Sequence, residues 1–216
     1  MVNKVLKSFN SIGKAGLGGY IVGSALFGIA IIVLMIYGIS TWADQLIEIK
    51  QTTIDSLVNI AIGAATGIAG WFMLPAFSAL FVGIFVENII HRVEQAEYPN
   101  EMREKAPGFW PDFIHDIRFT IKALVLNILV LPLYAFGIGF LVSIILNSYL
   151  IGREFFEAAA GYHLGKDRAR DLIGSYKMEV YGGGFILTLL TLIPLVNFFI
   201  PLISVVYMVH TYHRLK

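Results

Sequence analysis

Four long stretches of this chain hold no Asp, Glu, Lys or Arg: Ala15 to Ala43, Ser56 to Val86, Ala123 to Gly152 and Val180 to His213. Each exceeds the roughly 18–20 apolar residues that a helix needs to cross the hydrocarbon core of a bilayer. A charge at the centre of such a helix costs about 2.5–3.5 kcal/mol on insertion, so four neutral runs mark a chain built for lipid. There the backbone must satisfy its own hydrogen bonds, and long neutral runs do so as helices. Composition agrees. Of 216 residues, 57% are hydrophobic and 14% charged, whereas a soluble domain is about one-quarter charged. The expected class is an all-α integral membrane protein, with residues 1–216 forming a single membrane domain.

Other classes are harder to reach. The net charge of +1 offers no basic face for nucleic acid, and the absence of cysteine excludes disulfides, thiolate metal sites and cysteine nucleophiles. Lys4, Lys7 and Lys14 precede the first neutral run as they would a signal peptide. That run is longer than a signal core of about 7–15 residues, and Met35-Ile36-Tyr37 offers no small-x-small cleavage site. It reads as a retained helix.

The first run predicts a transmembrane helix over about 17–40, with Trp42 near the far interface. The second predicts a long helix over about 57–97, whose apolar pattern continues through Ile89, Ile90 and Val93 as an amphipathic stalk protruding into water. Pro75 should bend it. Pro99, Pro107, Gly108 and Pro111 make 98–111 a loop, and Pro111-Asp112 suits a helix start.

The third and fourth runs carry turn signals near their middles, Pro132 with Gly137-Ile138-Gly139, and Ile193-Pro194-Leu195-Val196-Asn197 after Gly182-Gly183-Gly184. Each could be one kinked crossing or a pair of half-helices entering and leaving on one side. The basic residues favour the second. If every run crosses once, Lys and Arg divide 10 to 6 between the two sides; with two crossings and two hairpins they divide 15 to 1. Basic residues collect on the cytoplasmic side. The expected architecture is therefore two long transmembrane helices plus two partly penetrating, re-entrant helical hairpins, over about 112–152 and 180–213, joined by an amphipathic helical segment, 153–179.

Two segments could bind or conduct an ion. In Lys14-Ala15-Gly16-Leu17-Gly18-Gly19, glycines at a helix start leave backbone N–H groups free for an anion, with Lys14 adding charge. The four-residue spacing of Ala15, Gly19 and Gly23, repeated by Gly63 and Gly67, also suits close helix packing. In Arg153-Glu154-Phe155-Phe156-Glu157, paired charges at a membrane boundary could shape an ion path or simply face water. The five histidines form no recognisable metal set: His210 and His213 share a helical face, but no third ligand lies nearby in sequence. No nucleophilic triad, P-loop or dinucleotide fingerprint is present, so no enzyme and no cofactor are expected.

Asn147-Ser148-Tyr149-Leu150-Ile151-Gly152-Arg153-Glu154-Phe155-Phe156-Glu157, with Ile193-Pro194-Leu195-Val196-Asn197, Pro201 and Met208-Val209-His210, resembles the CysZ-type sulfate permease family over nearly the whole chain. So do the stalk Glu87 to Pro99 and the basic end His213-Arg214. The resemblance implies a multi-pass protein of the bacterial inner membrane with two long helices and two hairpins. It also implies a homo-oligomer passing sulfate inward for cysteine synthesis without a nucleotide-binding subunit, and in the family protomers can adopt opposing orientations. Family members hold sulfate at a Gly-Leu-Arg motif opening the first long helix, often with a second arginine. Here Gly16-Leu17 match, but Gly18 and Gly19 stand where arginines would be. Bidentate arginine is the strong way to hold a doubly charged oxyanion, so backbone N–H groups and Lys14 would hold it less tightly. A sulfate channel is the first expectation. A non-transporting membrane scaffold of the same fold, or a channel for another small anion, are the alternatives.

Overall fold

A computed structural model describes residues 2–46, 52–103 and 109–216. They form ten helices, with no strand among the described residues: α1 (Val2–Lys14), α2 (Gly18–Leu46), α3 (Thr52–Ile84), α4 (Val86–Glu97), α5 (Phe109–Ala135), α6 (Gly139–Leu164), α7 (Lys166–Ser175), α8 (Lys177–Thr191), α9 (Pro194–Asn197) and α10 (Ile200–Leu215). A single 3-10 turn, Pro99–Glu101, follows α4. The segments 18–39 of α2 and 139–164 of α6 are long and apolar enough to cross a membrane, and α3 adds a third if its two arms, bent by 52°, count as one span. Pro75 lies inside α3 just beyond that bend, where it removes an N–H donor and crowds the preceding turn. Part of the expected loop 98–111, residues 104–108, falls outside the described residues.

The chain divides into two compact units, one made of Gly19–Ile84 and the other of Met1–Gly18 with Phe85–Lys216. In the first, glycines let α2 and α3 approach closely. A Cβ at Gly23 would fall 2.6 Å from the Phe81 ring, one at Gly28 2.9 Å from Leu74, and one at Gly70 2.8 Å from Ile32. Of the glycines in the four-residue spacing, Gly23 makes such a contact and Gly67 only reaches Ile36 at 4.0 Å, whereas Gly19 and Gly63 have nothing within 4 Å of a Cβ.

The second unit is built around α10, whose residues from Ile200 to Tyr212 are all buried. A helix apolar on every side belongs at the centre of a fold, and α1, α4, α6 and α8 pack around this one. The closest crossing joins α6 to α8: a Cβ at Gly152 would lie 2.8 Å from the Val180 carbonyl, and one at Gly184 would overlap the Ser148 carbonyl. Gly183 faces the Tyr207 ring. Gly183 and Gly184 thus serve close packing inside a helix, and α8 runs unbroken through all three glycines.

Helix–turn–helix pairs occupy both expected hairpin regions. Gly137 turns the chain between α5 and α6 with φ +76°, a conformation open to glycine. Pro194 opens α9 in the second turn. Two boundaries and one packing expectation differ from the sequence reading. The helix expected over 57–97 breaks at Phe85, whose ψ of +12° leaves the helical range. Beyond it, α4 is no free stalk: Ile89, Ile90, Val93 and Glu94 are buried, and α4 packs on α1, α6 and α10. The hairpin limit expected at Gly152 is also absent, because α6 runs on to Leu164. Arg153 and Glu157 pair with each other along that helix, so the charges need no chain break.

Candidate functional site

The turn between α1 and α2 is a helix stop in its own right. Gly16 adopts φ +63°; its N–H donates to the Gly13 carbonyl at 3.2 Å, and the Leu17 N–H donates to the Ile12 carbonyl at 3.0 Å. This is a Schellman cap, with a left-handed glycine closing the helix and the next apolar side chain folded inward; Leu17 is fully buried. The N–H groups of Gly16 and Leu17 are therefore already spent. Gly18 and Gly19 open α2, where the first N–H groups have no intrahelical acceptor, and a Cβ at either would meet nothing within 4 Å.

Two cations flank the turn. Lys14 is largely exposed, with Nζ 3.2 Å from Glu97 Oε1. Arg92, on α4, places Nη1 3.8 Å from where a Gly16 Cβ would stand. Sequence spacing gave no reason to associate Arg92 with Gly16, since they meet only because α4 folds back beside α1. Burial works to raise the Glu97 carboxyl, but hydrogen bonds from Lys14 and Ser11 outweigh it and hold the group below the usual carboxylate range.

The charges of the second segment lie on α6. Arg153 Nε donates to Glu157 Oε1 at 2.7 Å and Nη1 donates to the Tyr149 hydroxyl at 2.8 Å. The Glu157 side chain is 4% exposed, and Arg170 on α7 stands 3.4 Å from the same carboxylate oxygen. Glu154 faces outward. Arg153 and Arg170 thus share the buried carboxylate of Glu157, and Glu154 lies on a different face of the helix.

A third cluster was not anticipated. Glu94 of α4, His163 of α6 and His213 of α10 each bring a ligand atom within 4.8 Å of the others. His163 Nε2 is 2.5 Å and His213 Nε2 2.8 Å from Glu94 Oε1. His213 Nδ1 faces Glu101 Oε2 at 3.1 Å, and Glu101 also pairs with Lys216. Rings hold the imidazoles in place: Tyr98 stacks on His213 with centroids 3.9 Å apart, and Tyr212 on His163 at 5.1 Å. Burial tends to raise the Glu94 carboxyl, yet hydrogen bonds from the two histidines carry it below its ordinary value. Beside this centre, His210 bridges Ser11 Oγ at 2.9 Å and the Tyr98 hydroxyl at 2.7 Å, tying α1 to α10. The sequence showed the pair 210 and 213 on one face, but the structure separates their roles, and His213 finds its companions on two distant helices.

Residues 4–201 match the family described as sulfate transporter CysZ/etoposide-induced protein 2.4. No curated protein and no solved structure matches the chain.

Proposed function

The chain belongs to the sulfate transporter CysZ/etoposide-induced protein 2.4 family, a transporter-type family of membrane proteins, and from that premise we propose that it is a sulfate permease. In this reading it works as a homo-oligomer in the bacterial inner membrane, admitting sulfate for sulfur assimilation and cysteine synthesis. In this reading α2 and α3 are the two long helices that cross the bilayer, and the α5–α6 and α8–α10 pairs enter it only partly, although α6 is itself long and apolar enough to cross. Large apolar side chains left exposed on α5, α6 and the turn between them, among them Leu129, Leu131, Phe136 and Leu141, would face lipid or neighbouring copies.

The observation that carries the site is the guanidinium of Arg92 beside Gly16. Where the family's arginines give way to Gly18 and Gly19, α4 supplies a cation to the same turn. Sulfate would sit at the start of α2, accept from the N–H groups of Gly18 and Gly19, and draw on Arg92 and Lys14. The bond between Lys14 and Glu97 would open as the anion arrives. Farther on, Arg153, Glu154 and Glu157, with Arg170, would set the charge along the path.

The test is radiolabelled sulfate uptake into proteoliposomes. Uptake well above empty liposomes is expected, falling about 10- to 150-fold in Arg92→Ala, since a hydrogen bond to a charged group contributes about 1.5–3 kcal/mol, and falling less in Lys14→Ala and Arg153→Ala. Folded oligomer that carries no more sulfate than bare lipid would sink the transport reading and favour a scaffold. Gly18 and Gly19 favour one further reading, a less cationic entrance for another small anion. Competition by sulfite, phosphate and chloride distinguishes it.

A further inference from the structure

The convergence of Glu94, His163 and His213 goes beyond anion passage and does not depend on it. We propose that these three side chains form a binding site for a divalent transition-metal ion of the zinc type, pinning α4, α6 and α10 together. Three independent features carry this. First, the ligand atoms come from three separate helices and lie within 4.8 Å of one another. Two imidazole nitrogens and a carboxylate oxygen are the donor set that zinc and its neighbours prefer.

Second, the Glu94 side chain is 1% exposed, and its second oxygen, Oε2, is buried without a hydrogen-bond partner. A buried, unsatisfied carboxylate oxygen is costly. A cation held by both oxygens of the carboxylate and by the two rings removes that cost. Third, an outer layer already stands in place. Metal-bound histidines typically donate their other N–H to a carboxylate, which fixes ring orientation and raises basicity. His213 Nδ1 has Glu101 at 3.1 Å to accept that bond, and Tyr98 stacks on the ring.

The geometry needs little adjustment. Ligands of a tetrahedral zinc ion with bonds near 2.0–2.1 Å lie about 3.3 Å apart. The present separations of 2.5 and 2.8 Å from Glu94 Oε1 are those of rings donating to the carboxylate with no ion between them. Opening the two Glu94 contacts by less than about 1 Å, and bringing the two imidazole nitrogens, which lie within 4.8 Å of each other, to about 3.3 Å, admits the ion. Three protein ligands leave a fourth position for water.

The experiment uses full-length, untagged protein in detergent, stripped with chelator and titrated with Zn2+ against a chromophoric competitor. Metal content is read after gel filtration, and Co2+ loading reports geometry by its visible absorption. About one Zn2+ per chain is expected, with tetrahedral-type Co2+ bands. Glu94→Gln keeps volume and hydrogen-bonding capacity and should weaken binding more than 100-fold. Glu101→Gln, which acts through His213, should weaken it about 10–100-fold. His91→Ala, outside the cluster, should leave it unchanged. Wild-type protein that retains no Zn2+ or Co2+ overturns the proposal. So does stoichiometric metal that survives unweakened in a folded His163→Ala/His213→Ala double variant.

Discussion

At the scale of single residues, burial decides which charges are tolerated and which are strained. Lys4 lies partly buried, its Nζ 3.2 Å from Thr211 Oγ1 and over the Tyr207 ring. Desolvation, then the nearby charge of Arg214, lowers its pKa to about 8, with Glu179 opposing weakly. The unfolded chain therefore holds this proton from about pH 8 to its ordinary 10.5 while the folded chain has released it. Where the unfolded state binds more protons, stability rises with pH. Thermal melts in detergent should show α1 docking more firmly between pH 8 and 10 than at pH 7. Lys4→Met should raise the melting point at pH 7 and flatten that slope; an unchanged slope would mean another group sets it. Glu157 is the opposite case, a buried carboxylate shared by Arg153 and Arg170. Removing one partner of a buried pair typically costs about 3 kcal/mol or more. Glu157→Ala should show a loss of that size in denaturant titration, whereas a loss below about 1 kcal/mol would mean water already screens the pair.

At the scale of elements, glycine marks where helices touch. Gly184 meets the Ser148 carbonyl and Gly152 of the facing helix, so a side chain there must push α6 and α8 apart. Gly184→Ala should destabilise by about 1–3 kcal/mol, the usual cost of overpacking. Gly174, on α7, has nothing within 4 Å of a Cβ, and Gly174→Ala should be neutral or gain up to about 1 kcal/mol in helix propensity. Comparable effects at both sites would place the crossing elsewhere. The same contrast shows what was legible beforehand. Gly182 to Gly184 open the fourth neutral run in sequence without saying what they are for, and a run of glycines inside an apolar stretch serves as a flat packing surface. Gly137 and Pro194 did mark real turns, since a left-handed φ and a missing N–H are local properties. The break at Phe85 carries no such residue, so nothing local announced it.

For the whole molecule, exposed apolar area sets the solvent. Val22, Leu26, Val33, Leu34 and Tyr37 on α2 are all more than half exposed, a surface suited to lipid. The purified chain should precipitate or aggregate when detergent is withdrawn, and a soluble monomer would contradict the membrane reading. Because the chain has no cysteine, single cysteines at Arg103 and Lys166 report sidedness cleanly. The hairpin architecture expects an impermeant thiol reagent to reach both from one face; labelling from opposite faces would make each hairpin region a full crossing.

Membrane class, helical composition and the two principal turns followed from the chain alone, because solvation in lipid and backbone chirality act residue by residue. The Schellman cap at Gly16 was not anticipated, since the glycines there suggest an anion cradle or a packing surface. Arg92 beside Gly16, Arg170 beside Glu157, and the meeting of Glu94, His163 and His213 belong to tertiary structure. Such pairings depend on which helix faces pack against one another, and that is settled by the fit of the whole set of apolar surfaces around α10 and not by spacing along the chain.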